Sequence, residues 1–452
     1  MNKGNFPTLC KKNIVSSITI LFIFSFSQLI IAAENIELSV EITAPSNTPE
    51  FGLASALEMF CPSISDAQAD DENNLNAVCN FYLDTTQGTP EQKNQIATEL
   101  SAKNASSNNT GIARPAFSSG LSGVSNRLAV LRKGTKAVSK SRFSYLSNTK
   151  PFLNNLNTAE DTPGGFLSNR LSAYANLSNA SGSYIETDTE AGFDDGNKGV
   201  LLGIDYRLRA ATFVGIASNY TTSQLDLNDP GSEISANQYQ LLAYGSHFLI
   251  DNWYLQLAVQ GAKQNIDMTR AINLQLNTPV NAIASADTSG SQIGFNLGTG
   301  YDQHLSHGYN AGIVASINYL SSTIDAYNEN GAPGFNLNVN EQKITSLTSE
   351  LKTQISANYS FSWGILFPQL TAAWVHEFEQ SGDTITARFL SDPSSTPFSF
   401  TTQKADPNFF VFGANIQTLF TRGRSAFISF SSIQKLRDRK QWAGMIGYRM
   451  EF

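Results

Sequence analysis

Residues 441–452 read Q-W-A-G-M-I-G-Y-R-M-E-F, and no other stretch constrains the fold as strongly. Trp442, Ile446, Tyr448, Met450 and Phe452 share one parity; Gln441, Arg449 and Glu451 share the other. Period two with an apolar face and a charged face defines a half-exposed strand. Two surroundings satisfy that pattern: the edge of a soluble β-sandwich, or a wall between lipid and water. The sequence stops on an aromatic residue with a second ring four positions earlier, which favours membrane insertion. A strand in lipid leaves no backbone group unpaired, so this last strand is expected to pair with the first and close a barrel.

The same alternation recurs upstream from about Arg170. Val200, Leu202, Ile204, Tyr206 and Leu208 interleave with Leu201, Gly203, Asp205 and Arg207. Trp253, Leu255, Leu257, Val259 and Gly261 interleave with Tyr254, Gln256, Ala258 and Gln260, and Leu351 to Tyr359 repeats the pattern. Turn clusters at 195–197, 228–231, 330–331 and 381–383 punctuate the runs. The spacing predicts twelve strands, near 171–184, 198–208, 211–226, 233–249, 253–268, 286–303, 309–327, 342–361, 365–389, 396–420, 424–437 and 440–452. Stretches near 225–235, 269–285, 325–341 and 388–408 are expected to be external loops. An even strand count with alternately short and long connections fits an antiparallel transmembrane β-barrel.

Past residue 33 no apolar run reaches the length of about 18 residues that a transmembrane helix needs, so a membrane reading requires strands. With charged residues at 15% and a net charge of −8, the chain shows no nucleic-acid footprint. Lys3, Lys11 and Lys12 precede an apolar run from Ile14 to Ile31, then Ala32-Ala33. That is the layout of a secretory signal peptide over residues 1–33, with an uncleaved anchor helix as the alternative. Cys10 would leave with the signal. Cys61 and Cys79 remain, an even pair in an oxidising compartment, expected as a disulfide rather than two buried thiols.

Residues 34–120 read as a small, mostly helical module after an alternating stretch at 36–42. Residues 51–60 and 75–83 have helical character, and Thr89-Pro90-Glu91 opens a third helix running to about Leu100, with Thr as N-cap and Pro at the first position. Leu121, Val124, Leu128 and Leu131 then recur at helical spacing. Between Glu99 and Glu160 there is no acidic residue, yet Lys103, Arg114, Arg127, Arg132, Lys133, Lys136, Lys140, Arg142 and Lys150 are present. This one-sided charge marks residues 121–165 either as a solvated linker or as a segment threaded through something acidic.

The module offers no catalytic constellation. All four histidines (His247, His304, His307, His376) lie in the strand region, so the module by itself assembles neither a Ser-His-Asp triad nor a His-based metal site. There is no G-x-S-x-G elbow and no P-loop. The expectation is no enzyme activity, no cofactor and no metal, with His304 and His307 in a polar turn.

In their order and spacing, A-G-F-D-D-G-N-K-G-V-L-L-G-I-D-Y-R-L (191–208), D-N-W-Y-L-Q-L-A-V (251–259), S-L-T-S-E-L (346–351), W-G-I-L-F-P-Q-L-T-A-A-W-V-H-E-F-E (363–379), I-T-A-R-F (385–389), G-R-S-A-F (423–427) and the closing G-Y-R-M-E-F resemble the autotransporter β-domain. The resemblance spans about residues 170–452. It implies a twelve-stranded barrel over 166–452, inserted in the outer membrane of a Gram-negative cell by the barrel-assembly machinery with periplasmic chaperones. Tyr448, Met450 and Phe452 would be the assembly signal. It also implies a helix inside the lumen, and V-S-N-R-L-A-V-L-R (124–132) resembles the segment preceding such barrels. Val124, Arg127, Leu128, Leu131 and Arg132 are then lumen-helix residues. Arg127, Arg132 and Lys133 are expected to face inner-wall carboxylates, drawn by parity from Asp205, Glu350, Glu377 and Glu451, as partly solvated pairs worth ~1 kcal/mol or less each. N-N-L-N (154–157) resembles the junction at which some family members cleave themselves, but no basic amphipathic helix follows it here.

Two readings of function follow. In the first, a monomeric barrel in outer-membrane lipid anchors or translocates a short N-terminal passenger, too short for a long β-helical stalk. In the second, the barrel is a plugged channel or anchor whose module stays periplasmic. An enzyme displayed on a barrel and a soluble all-β protein are the weaker alternatives.

Overall fold

The computed structural model describes residues 45–64, 73–84, 88–139, 170–250, 252–276, 279–420 and 424–451. The stretch expected as a signal peptide, the alternating stretch 36–42, residues 140–169 with the N-N-L-N run, and Phe452 lie outside the described residues.

Twelve long antiparallel strands close into a barrel: β1 (Leu171–Tyr184), β2 (Phe193–Arg209), β3 (Thr212–Leu227), β4 (Glu233–Ile250), β5 (Trp253–Leu274), β6 (Val280–His304), β7 (Tyr309–Ile324), β10 (Gln342–Ala357), β12 (Gly364–Glu377), β15 (Asn408–Phe420), β16 (Ser425–Gln434) and β17 (Arg439–Glu451). Closure is made by β1 on β17, in register from Ser172 opposite Glu451 to Tyr184 opposite Arg439. A short β11 (Tyr359–Phe361) extends one turn against β12.

The alternation sets the two faces. Leu202, Ile216, Leu241, Ile293 and Leu370 point outward, and Leu241 is 70% exposed. So much contiguous apolar surface has no place in water and forms a lipid-facing belt. Outward rings cluster at two heights: Tyr220 beside Tyr239 and Phe430 beside Trp442 toward one end, Trp253 beside Tyr301 and Phe361 beside Trp363 toward the other. Such aromatic girdles mark the two interfaces of a membrane. Inward positions carry amides and hydroxyls: Gln238 Nε2 donates to Gln292 Oε1 at 2.7 Å, and Asn219 Nδ2 to Gln240 Oε1 at 3.0 Å.

The structure corrects several sequence expectations. Asp195-Gly196-Asn197 is not a turn but lies inside β2, where Asp195 and Asn197 face the lumen and bond to each other at 2.9 Å. Polar residues that signal a turn in a soluble protein here signal the wet side of a wall. The stretches 225–235 and 269–285 are mostly strand, since β3, β4, β5 and β6 run on beyond the belt. The strands expected over 365–389 and 396–420 each divide. Their outer parts, β13 (Thr384–Phe389) and β14 (Phe398–Thr401), join β8 (Tyr327–Asn328) and β9 (Leu337–Val339) in a separate four-stranded sheet ordered β14-β13-β9-β8. The long connections therefore carry their own folded layer.

That layer seats the N-terminal helices α1 (Pro49–Ile64), α2 (Asn73–Leu83), α3 (Pro90–Leu100) and α4 (Lys103–Ser107). Thr89 caps α3: Gln92 N donates to Thr89 Oγ1 and Thr89 N donates to Gln92 Oε1, a reciprocal capping box. Lys93 Nζ donates to the Tyr82 and Asp84 carbonyls at 2.9 and 2.8 Å, satisfying the end of α2. Leu53, Leu57, Phe60, Leu75 and Ile96 share one apolar core with Phe335, Leu337, Ile385, Phe389 and Phe400 of the loop layer. Phe60 meets Phe389 edge-on at 5.7 Å. Gly52 makes the close approach possible: a Cβ there would lie 2.7 Å from the Ser399 carbonyl oxygen.

Cys61 of α1 and Cys79 of α2 are joined by a disulfide. Closing a loop of this length stabilises by about 3 kcal/mol in the chain-entropy model. Replacing both cysteines with alanine is expected to speed amide exchange in α1 and α2 by roughly a hundredfold while leaving the barrel strands unchanged; exchange mass spectrometry reads both.

Candidate functional site

The lumen is occupied by α5 (Arg114–Ser139), entered through a π-helical turn at Asn108–Ala113. One stripe of the helix, Leu121, Val124, Leu128 and Leu131, packs on Tyr174, Leu201, Phe213, Ala217, Leu242 and Tyr244 of the inner wall. Gly120 and Gly123 bring the backbone close: Cβ atoms there would lie 2.1 Å from Gln240 Oε1 and 2.8 Å from Leu201 Cδ2. The opposite face is small and polar. Ser118, Ser122, Ser125 and Asn126 border a cavity of about 550 Å³ that reaches Gln369, Asn415 and Ser431 on the far wall. The helix therefore seals against one side of the lumen and leaves on its other side a cavity bordered by hydroxyls and amides, with Val375 and Val411 also in its lining.

Arg127 is the tightest link between helix and wall. Its Nε donates to Asp205 Oδ2 and its Nη2 to Asp205 Oδ1, both at 2.7 Å. Nη2 also donates to Ser172 Oγ at 2.8 Å, and Ser172 Oγ donates to Asp205 Oδ1 at 2.6 Å. The guanidinium carbon lies 5.2 Å from the Tyr174 ring centre. The side chains of the pair are 3% and 2% exposed, so this is not the partly solvated contact expected from sequence. Fork-to-fork geometry with a hydroxyl on the carboxylate compensates the desolvation, and removing either partner from such a pair costs about 3–5 kcal/mol.

The remaining sequence-derived residues distribute differently. Arg132 donates to Gln256 Oε1 at 3.0 Å, with its guanidinium 4.0 Å from the Tyr254 ring centre. The Lys133 side chain lies outside the described residues. Glu350 pairs with its strand neighbour Lys352 at 2.5 Å, and Glu451 with Arg449. Glu377 is met by Arg114, at the start of α5, at 3.5 Å, and accepts from Ser346 Oγ and the Leu347 amide. Tyr448 and Met450 stand on β17, with Tyr448 facing out. His304 closes β6, and His307 lies inside the short turn Ser306–Gly308 that leads to β7.

A second charged cluster, at the long-connection end of the lumen, escaped sequence reasoning. Arg439 reaches Asp195 at 3.4 Å, and Glu190, in the connection between β1 and β2, is 1% exposed. Arg439 shares the inward parity of Gln441 and Arg449, a signal that could have found it; Glu190 sits on an irregular segment where parity says nothing. Burial pushes the Glu190 carboxyl up to about 7, against the pull of a Tyr184 hydrogen bond and of Arg114 and Arg439, with the Asp383 carboxylate adding to the rise. Burial likewise lifts Asp383 to about 6.

Two outcomes test this site. Reversing both Arg127 and Arg132 to glutamate sets a like charge against Asp205 and removes the Arg132 contacts with Gln256 and Tyr254, which frees the helix. Single-channel conductance in planar bilayers is expected to rise several-fold; unchanged conductance would show that the helix is held by packing alone. For Glu190 the folded pKa lies above the ordinary 4.5, so its contribution to stability is full below pH 4.5 and is lost as pH rises toward 7, on the order of 2–3 kcal/mol. The temperature at which the folded band disappears on an unheated-to-heated gel series is expected to fall between pH 5 and pH 8, and to fall less in Glu190→Gln.

Residues 173–431 match the family model for the autotransporter beta-domain. Among curated proteins, esterase EstA of Pseudomonas aeruginosa is 26% identical over 200 residues, which is 44% of this chain and 30% of that protein. Outer membrane protein B of Rickettsia rickettsii is 25% identical over 156 residues, 34% of this chain and 9% of that protein. The chain thus spans less than a third of the length of these relatives. Among solved structures, the translocator domain of autotransporter NalP from Neisseria meningitidis aligns with a TM-score of 0.50 at 14% identity, covering 67% of this chain and 94% of that one. That likeness is one of fold.

Proposed function

Since this chain belongs to the autotransporter β-domain family, and its barrel is therefore an outer-membrane barrel that translocates an N-terminal segment, we propose that it carries its own small helical module to the cell exterior and keeps it there. The observation that carries this reading is the shared core of Phe60 and Leu57 with Phe389 and Phe400. That core lies at the long-connection end, which in bacterial barrels faces outward. The plugged channel with a periplasmic module is less supported, because the module meets the barrel at the opposite end from the short turns.

The β-domain is not catalytic. The activity in the esterase's name is not carried over, and the module's lack of histidine supports a chain with no enzyme activity. In this reading residues 1–33 are a cleaved signal, 34–120 the passenger and 121–165 the linker containing the lumen helix. Tyr448, Met450 and Phe452 address the barrel-assembly machinery, periplasmic chaperones accompany the unfolded chain, and the product is a monomer.

A cysteine placed at the exposed Glu91 of α3 tests the placement. In intact cells a membrane-impermeant maleimide is expected to label Glu91→Cys fully. Labelling only after the outer membrane is opened would place the module in the periplasm. Gly52→Leu, which drives a side chain into the Ser399 carbonyl, is expected to leave the labelling intact and to make the module several-fold more sensitive to added protease.

A further inference from the structure

Along the barrel strands the outward-facing lysines among the described residues are Lys198 on β2, Lys263 on β5, Lys343 on β10 and Lys440 on β17, and all stand toward the long-connection end. On β5 the outward run begins at Trp253, in the short-turn girdle, and reaches Lys263 about ten residues later. At ~3.3 Å per residue and a strand tilt near 40°, that run climbs about 25 Å, the height of the apolar band of such barrels. Lys263 therefore stands at the outer headgroup plane.

Its surroundings form a seat. On the neighbouring strands Tyr239 and Ser291 lie directly opposite Lys263, and Leu241 and Ile293 lie directly opposite Gly261. Leu241 and Ile293 are 70% and 65% exposed, so they stand as ridges on either side of a position with no side chain. The apolar groove in the outer wall runs through these residues, with Ala243 in its lining. Packing of the barrel does not require the glycine: a Cβ there would meet only the Gln292 carbonyl oxygen, at 3.9 Å. With strands ~4.8 Å apart, the Leu241 and Ile293 backbones stand about 10 Å apart across Gly261, a lipid-side slot headed by one cation between two hydroxyls.

We propose that this site holds one phosphorylated, acylated glycolipid of the outer leaflet. Lys263, Tyr239 and Ser291 take its phosphate, and one acyl chain lies over Gly261 between Leu241 and Ile293. A phosphate matches the donor set, since ammonium and hydroxyl groups all donate to its oxygens. The leaflet follows from the external placement of the long-connection end, on which this inference rests. The outward carboxylates Asp267 and Asp287 are four residues beyond Lys263 on the same and the paired strand, about 13 Å along the strand, beyond a Debye length in physiological salt, and do not cancel the site.

Native mass spectrometry of the full chain in mild detergent tests the proposal, with three added lipids: a bis-phosphorylated lipid A, the same lipid dephosphorylated, and phosphatidylglycerol. Wild-type protein is expected to retain one bis-phosphorylated lipid A in preference to the other two. Lys263→Glu and Gly261→Leu are each expected to lower that adduct about tenfold, and Lys440→Glu to leave it unchanged, all with wild-type mobility of the folded band on an unheated gel. Equal adducts in wild type and Lys263→Glu, or equal retention of the dephosphorylated lipid, overturn the phosphate site. Equal retention of phosphatidylglycerol overturns its assignment to the glycolipid. Unchanged binding in Gly261→Leu overturns the acyl slot. Labelling of the module only in the periplasm would invert the leaflet without touching these adduct measurements, so the two readings fail separately.

Discussion

Closure of the ladder between β1 and β17 is the constraint from which the rest of the structure follows. An open edge in hydrocarbon would leave a row of amides and carbonyls without partners, each at a cost of several kcal/mol. With Ser172 opposite Glu451 and Tyr184 opposite Arg439, no such row remains at the seam. Closure also fixes which parity is wet. Once Tyr448 faces lipid and Arg449 faces the lumen on β17, their partners Ala175 and Tyr174 on β1 inherit the same sides, and so on around the barrel.

A closed wall with a polar interior creates a vacancy that this chain fills from its own N-terminal side. The filling is asymmetric. On one side α5 is sealed to the wall by Leu121, Val124, Leu128 and Leu131, and the dry Arg127–Asp205 pair sits within that seal. On the other side serines of the same helix face a cavity, across which Gln369, Asn415 and Ser431 stand among apolar residues of the far wall. The low exposure of Arg127 explains why a single pair can matter here: away from water its geometry is worth more, and its loss costs more, than that of any rim contact.

Much of the fold was legible because period two is a local signal. Leu202 and Asp205 declare their sides within four residues, and twelve such runs of the right length imply a barrel. What was not legible depended on neighbours distant in sequence. Asp195-Gly196-Asn197 has the composition of a turn, and only its partners Ser223 and Arg439 show it to be wall. The strands β8, β9, β13 and β14 are two to six residues long, and Leu337 and Phe398 are strand residues through their pairing with Phe389 and Ala387 of β13. Parity placed Asp205, Glu350, Glu377 and Glu451 on the inner wall, but pairing is a matter of height along the axis. Thus Glu350 is met by Lys352 from its own strand, and Glu377 by Arg114, from the near end of the helix.

The small loop strands and the short helices explain each other. The helices between Pro49 and Ser107 amount to fewer residues than a chain usually needs to bury a sufficient core alone, and a disulfide offsets only part of that deficit. The loop sheet, for its part, has a single apolar face, which would be exposed if the helices were absent. Joined, Phe60 and Leu57 complete Phe389 and Phe400, and the Arg270–Glu329 pair beneath them is closed by the Glu99 carbonyl, which accepts from Arg270 at 3.2 Å. Each half covers apolar surface of the other, so docking of the module on the loop sheet stabilises both. Under the function proposed above, this shared core would hold the passenger at the barrel: to leave, the module would have to give up its contacts with Phe389 and Phe400.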